Sequence, residues 1–172
     1  MDIIMSRLLY TSFSSSIGKI CLASTSRGIC WLSIDVTRKI PSIKDFLQAR
    51  YRRAAVPAAD DLNYIKDQLD AYFNGSLTKF NCAIDFIEGT SFQQEVWHTT
   101  HKIPFGSVVT YKEIAQRIAR PKAFRAVGQA LGSNPIAIIV PCHRVISSDG
   151  TLGGFGLGLE MKKHLLTLEG IC

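Results

Sequence analysis

The chain has 172 residues, 47% of them apolar, which is enough for packed cores without covalent staples. Its longest apolar run, Ile136 to Val140, is far shorter than the ~18 to 20 residues of a membrane span, and Met1 to Tyr10 lacks the basic start and long apolar stretch of a secretion signal. A membrane protein is therefore not expected, a cytoplasmic one is (nuclear in a eukaryotic source), and the formal charge of +6 suits a polyanionic partner.

In chain order, Lys19 to Ser24 and Ile29 to Ile34 are short β-prone runs, and Thr25-Ser26-Arg27-Gly28 between them predicts a hairpin turn. Ser42 to Tyr51 predicts a short helix. Asp60 or Asp61 is expected to cap a longer one, in which Leu62, Ile65, Leu69, Tyr72 and Phe73 share a buried face before Gly75 stops it. The texture changes near Gly89, which puts a domain boundary at 86 to 90. The expected fold is α/β, of the α+β kind. A small amino-terminal sheet-plus-helix support domain over 1–86 is followed by a mainly helical domain over 87–172.

Thr90 or Ser91, followed by Gln93 or Gln94, starts a helix that carries Phe92, Val96 and Trp97 and ends before Pro104. Thr110 with Glu113 makes a capping box for a helix over Tyr111 to Ala119, broken at Arg120-Pro121. A second helix, Ala123 to Gly132, buries Val127, Ala130 and Leu131, so the pair reads as a helix-turn-helix. Residues 102 to 125 hold Lys102, Lys112, Arg117, Arg120, Lys122 and Arg125 against Glu113 alone, a charge pattern that fits either a solvated face or a DNA backbone. Ile136 to Val140 predicts a buried strand that delivers Pro141-Cys142-His143-Arg144-Val145 in extended form. A glycine-rich loop from Gly150 to Gly158 then precedes a last helix, Leu159 to Glu169.

The five cysteines are odd in number and scattered, so neither a disulfide framework nor a metal site is expected, and no cofactor. Cys21, Cys30 and Cys82 sit in apolar runs and read as small core residues, and Cys172 as a frayed terminus. Cys142 differs. Pro141 fixes the chain before it, and His143 and Arg144 follow in an electropositive setting expected to favour thiolate, the form that attacks carbon. Adjacent residues of an extended segment point apart, so His143 is expected to take the thiol proton through a water, held in its tautomer by a carboxylate, for which Glu169 is the candidate.

Phe92-Gln93, Val96-Trp97, Ile103-Pro104, Gly106, Thr110-Tyr111, Ile114-Ala115, Arg125 to Gly128, Asn134-Pro135, Val140 to Val145, Gly153 to Phe155, Lys162 and Leu168 to Gly170 stand in one order and spacing. From about Gly89 to Gly170 the chain thus resembles the O6-alkylguanine-DNA alkyltransferases. Ser16 to Ile34 and Gln68 to Gly75 resemble, more weakly, their variable amino-terminal domain. The resemblance implies single-turnover repair in which the alkyl group moves from guanine O6 (and possibly thymine O4) in double-stranded DNA to Cys142. The protein would act as a monomer through the minor groove. Arg125 would be the finger that fills the stack, and Ala126 and Gly128 small residues against the groove walls. Tyr111 would turn the nucleotide and touch the base edge. The backbone of Cys142 and Val145 would meet the guanine amino group, that near Gly156 would meet O6, and Asn134 would be a hinge.

Phe155-Gly156 stands where many relatives carry Tyr-Ser, and Leu157 where several have glycine, so Leu157 is expected to narrow the pocket. The competing readings are a helix-turn-helix lesion sensor or regulator with an incidental cysteine, and a cysteine hydrolase or redox enzyme. The latter lacks a second nearby thiol and any use for the second helix.

Overall fold

The computed structural model describes residues 7–34 and 42–171. It divides into two compact units, Met1–Ile87 and Glu88–Cys172. Among the described residues no helix is long and apolar enough to cross a membrane, and no group of three His, Cys, Asp or Glu side chains is placed to hold a metal ion. Cys172 lies outside the described residues.

The first unit is a four-stranded sheet in the order β3-β2-β1-β4. The expected hairpin is β2 (Gly18–Thr25) with β3 (Gly28–Ile34), antiparallel. Strand β1 (Leu8–Ser15) pairs antiparallel with β2, and β4 (Ala55–Pro57) lies parallel to β1. Residues Ile20 to Thr25 of β2 are all buried, so this strand is covered on both faces, and alternation is lost from its sequence. At the hairpin, Gly28 has φ +154, and a Cβ there would lie 2.5 Å from the Ala83 carbonyl oxygen, which is why only glycine fits. Cys21 and Cys30 are fully buried, as small core residues should be, and Cys82 is partly so.

Helix α1 (Ile43–Tyr51) begins as expected, with the Ser42 side chain accepting from the Asp45 N–H. Helix α2 (Ala59–Phe73) buries Leu62, Ile65, Leu69 and Tyr72, but its cap is not an aspartate. Ala58 occupies the cap position without a side-chain bond, and Asp60 and Asp61 lie inside the first turn. There they face the positive end of the helix dipole without capping any N–H.

The second unit contains α3 (Ser91–His101), α4 (Tyr111–Arg117), α5 (Phe124–Gly132) and α6 (Leu159–Leu168). Both expected capping boxes form: Thr90 with Gln93 on α3, and Thr110 with Glu113 on α4. Each contributes on the order of 1 kcal/mol. Between α4 and α5 the chain turns at Ala119, φ +56, and the Arg120 N–H reaches back to the Ala115 carbonyl at 2.8 Å. Trp97 of α3 anchors α5 from behind, its Nε1 donating to the Ala130 carbonyl at 2.7 Å. A two-residue parallel pair, β5 (Val109–Thr110) with β6 (Val145–Ile146), joins the start of α4 to the segment that follows Cys142.

Residues 136 to 140 are buried as expected but do not form a strand. The Val140 N–H bonds back to the Ile136 carbonyl at 3.0 Å and Ile138 takes φ +71, so the run is a buried turn. Cys142–Arg144 is likewise a single 3-10 turn, not an extended segment.

Candidate active site

Cys142 sits at this turn, 7% exposed. Asn134 staples the turn: its Nδ2 donates to the Val140 carbonyl at 2.9 Å and to the Cys142 Sγ at 3.1 Å, while its Oδ1 accepts from the Ile136 N–H at 3.0 Å. One amide thus fixes the backbone around the sulfur and touches the sulfur itself. The backbone N–H groups of Cys142 and His143 also aim at Sγ.

His143 is fully buried, and its Nε2 lies 2.7 Å from Glu169 Oε1. Arg144 holds the same carboxylate with two bonds, Nε to Oε2 at 2.8 Å and Nη2 to Oε1 at 2.9 Å, and its Nη1 donates to the Ile103 carbonyl at 2.6 Å. The Gly106 N–H donates to Glu169 Oε2 at 3.3 Å. Glu169, at the end of α6, is the carboxylate the sequence pointed to, and it serves both basic side chains of the turn.

The electrostatics differ from the sequence expectation. The guanidinium of Arg144 is turned onto Glu169 and not onto the sulfur, and burial dominates. Burial pushes the Cys142 thiol up, opposed by the Asn134 bond, by the charge of Lys162 and by the two backbone N–H groups. Burial likewise pushes His143 down, against the pull of Glu169. The resting pair is therefore neutral thiol and neutral imidazole. With Nε2 facing a carboxylate, the imidazole proton belongs on Nε2, and Nδ1 is the acceptor nitrogen.

Lys162 is the site residue that the spacing of the sequence left without a role. It is fully buried, and its Nζ donates to the carbonyls of Val145 (2.6 Å), Leu152 and Gly154 (3.2 Å), tying the strand after the cysteine to the glycine loop. Burial pulls its pKa down to about 8. The signal was present: Lys162, Leu165, Leu166 and Glu169 share one stripe of the last helix, and a lysine on an apolar stripe must find acceptors inside.

A cavity of about 630 Å³ opens over the cysteine. It is lined by Cys142, by Phe124, Arg125, Gly128 and Gln129 of α5, by Tyr111 of α4, and by Gly153, Gly154, Phe155 and Gly156 of the loop, among others. Of the expected pocket residues, Phe155 and Gly156 are in this lining. Val145 is not, being fully buried with its carbonyl held by Lys162. Neither is the half-buried Leu157. Phe124 and Gln129 are cavity residues that the sequence analysis did not single out.

Tyr111 leans over α5 and against the loop. Its ring lies 3.7 Å from where a Cβ on Gly128 would stand, and its hydroxyl 2.7 Å from a Cβ on Gly153, which has φ +67. Its hydroxyl donates to the Gly154 carbonyl at 3.4 Å, and burial followed by the nearby cysteine raises its pKa, so it remains a proton donor. Arg125 and Ala126 are exposed at the start of α5. Lys102, Lys112, Arg117, Arg120 and Lys122 are exposed as well; of these, Arg120 pairs with Glu95 at 2.8 Å.

A helix-turn-helix whose second helix walls a cavity with a sulfur inside defines a class: proteins that bring DNA contact and a thiol together in one unit. The comparisons narrow this. The family model described as 6-O-methylguanine DNA methyltransferase, DNA binding domain, matches residues 91–171, and that described as 6-O-methylguanine DNA methyltransferase, ribonuclease-like domain, matches residues 8–86. The methylated-DNA–protein-cysteine methyltransferase of Methanosarcina barkeri is 42% identical over 167 residues, covering 94% of this chain and 97% of that protein. That of Haemophilus influenzae is 39% identical over 167 residues, covering 97% and 89%. Among solved structures, Mycobacterium tuberculosis OGT in complex with DNA superimposes with a TM-score of 0.80 at 42% identity, covering 94% of this chain and 92% of that one. The O6-methylguanine-DNA methyltransferase of Pyrococcus kodakaraensis gives 0.63 at 26% identity, covering 95% and 99%. The chain belongs to the 6-O-methylguanine DNA methyltransferase family.

Proposed function

We propose that this protein repairs DNA by direct reversal, moving the alkyl group of O6-alkylguanine to the sulfur of its own Cys142 in one irreversible turnover. The observation that carries this reading is the sulfur at a cavity walled by the second helix of a helix-turn-helix. A base inside a duplex cannot reach such an atom, so the nucleotide must turn out of the stack, at a cost of a few kcal/mol. Arg125, exposed at the cavity mouth, fills the gap it leaves. Ala126 and Gly128 keep α5 slim enough for the minor groove, and Tyr111 crowds the phosphate of the turning nucleotide. The exposed basic side chains of residues 102 to 125 hold the backbone, so binding weakens with salt.

The neutral resting thiol requires a base at the moment of reaction. The thiol proton passes by way of water to His143 Nδ1, Glu169 holding the imidazolium that forms. The thiolate attacks the alkyl carbon in line. The carbon–O6 bond breaks, and its electron pair goes to guanine, which takes a proton from the Tyr111 hydroxyl while the backbone N–H groups near Gly156 donate hydrogen bonds to O6; the proton lost by cysteine returns from the imidazolium, by way of water, to the tyrosinate. Asn134 and Lys162 stabilise the thiolate and hold the turn and the loop in place. The product is a thioether that no group of the site hydrolyses, so no cofactor is consumed. Residues 87–172 carry this chemistry and 1–86 support it, and the protein acts as a monomer in the cytoplasm or, in a eukaryote, the nucleus.

The test is the intact mass of the protein after mixing with equimolar O6-methylguanine duplex. A permanent gain of one methyl group on Cys142, absent with unmodified DNA and in Cys142→Ala, is expected. Transfer that persists in Cys142→Ala would assign the chemistry to another atom.

A further inference from the structure

A single exposed apolar side chain is ordinary on a protein surface, and most need no explanation. Phe124 is set apart by its place. It is the first residue of α5, 39% exposed, and the only phenylalanine among the large exposed apolar side chains of the described residues. It lines the same cavity as Cys142. The Arg125 guanidinium lies 5.9 Å from its ring centroid, within cation–π range. Phe124 and Gly128 are four residues apart, so the exposed ring stands one helical turn above the glycine against which Tyr111 packs.

We infer that Phe124 and Arg125 form a two-residue wedge, in which the ring enters the base stack beside the gap left by the extruded nucleotide while the guanidinium fills the gap itself. The inference rests on the proposed repair reading and deepens it. Apolar side chains that enter a stack from the minor groove offset part of the unstacking cost by contact with base faces, and a phenyl ring does so without polar atoms to desolvate. In the free protein the ring serves a second purpose. It parks the guanidinium at the cavity mouth, so less side-chain freedom is lost when DNA arrives. The neighbouring cap residue, Ala123, makes no side-chain hydrogen bond, so the start of α5 offers DNA bare backbone N–H groups, with the ring and the guanidinium as the large side chains beside them.

The experiment measures single-turnover methyl transfer from one oligonucleotide containing O6-methylguanine, single-stranded and in duplex, for wild type, Phe124→Ala and Phe124→Leu. In a single strand no partner base has to be left, so a wedge has little to do. Phe124→Ala is expected to lose about tenfold more rate on duplex than on single strand, and Phe124→Leu, which keeps an apolar body, to recover most of the loss. Equal losses on the two substrates would mean that the ring only lines the cavity, and a leucine no better than alanine would mean that apolar contact is not what the ring supplies; either overturns the wedge. Failure of wild type to transfer from either substrate would overturn the repair reading along with it.

Discussion

Replacing Glu169 by glutamine keeps the shape of the side chain and removes its charge, and the consequences follow from four hydrogen bonds. The carboxylate accepts from Arg144 twice, from the Gly106 N–H and from His143 Nε2, and it is only 5% exposed. An amide has one acceptor oxygen and two donors of its own, so at least one buried N–H of Arg144 or His143 must then face another donor. Removing one partner of a buried ion pair costs about 3–5 kcal/mol; since glutamine retains some of the bonds, a loss of about 3 kcal/mol is expected. Against a total stability of roughly 5–15 kcal/mol the variant still folds, which makes its chemistry measurable. The amide also lets His143 take its proton on Nδ1 and accept at Nε2, which removes the acceptor nitrogen required for the thiol proton. Transfer is therefore expected to slow by about 100-fold or more, the scale of a lost general base. Urea unfolding gives the first number and single-turnover transfer from methylated duplex the second. A Glu169→Gln protein that unfolds within 1 kcal/mol of wild type and transfers at the wild-type rate would refute both the ion-pair role and the tautomer role.

Lys162 gives up its proton near 8 in the folded chain but near 10.5 when unfolded. Between those values the unfolded state binds the extra proton, so this group's contribution to stability is least below pH 8 and rises with pH through the window. The stability of wild type relative to Lys162→Met should therefore climb by up to about 3 kcal/mol from pH 7.5 to pH 10.5, measured by urea unfolding, and a flat difference would contradict the assignment. Gly153→Ala puts a Cβ 2.7 Å from the Tyr111 hydroxyl on a residue with φ +67, whereas a Cβ on Gly154 meets nothing within 4 Å. Gly153→Ala should cost about 1–2 kcal/mol and slow transfer, and Gly154→Ala less than about 0.5 kcal/mol; equal effects would show that Tyr111 does not depend on that glycine.

The parts of the fold legible from sequence were those fixed by neighbours in the chain. Thr90 with Gln93 and Thr110 with Glu113 announce helix starts because a capping box is complete within four residues. Cys142, His143 and Glu169 were legible as types suited to one chemistry, and the structure brings the last two within 2.7 Å. Residues 136 to 140 misled because a five-residue apolar run fits a buried strand and a buried turn equally well, and the positive φ of Ile138 leaves no mark in composition. Strand β1 escaped notice because its residues are mostly half-buried and do not alternate cleanly, and β4 because it is three residues long and ends in proline. The state of the thiol was misjudged from sequence neighbours. Arg144 is adjacent in the chain, yet it is committed to a carboxylate 25 residues away, and only the three-dimensional structure reveals where its charge is directed.

The pairing of Val109 with Val145 and of Thr110 with Ile146 sets Tyr111 and Cys142 on either side of a backbone-to-backbone clasp. Because main-chain groups make that clasp, it works as a fixed gauge whose setting is indifferent to most side-chain replacements nearby. Wall residues that do not press on Tyr111 as Gly153 does can thus change in shape and reach without shifting the backbone that carries the hydroxyl and the sulfur. A scaffold gauged in this way can be refitted for adducts of other sizes by changing its lining alone.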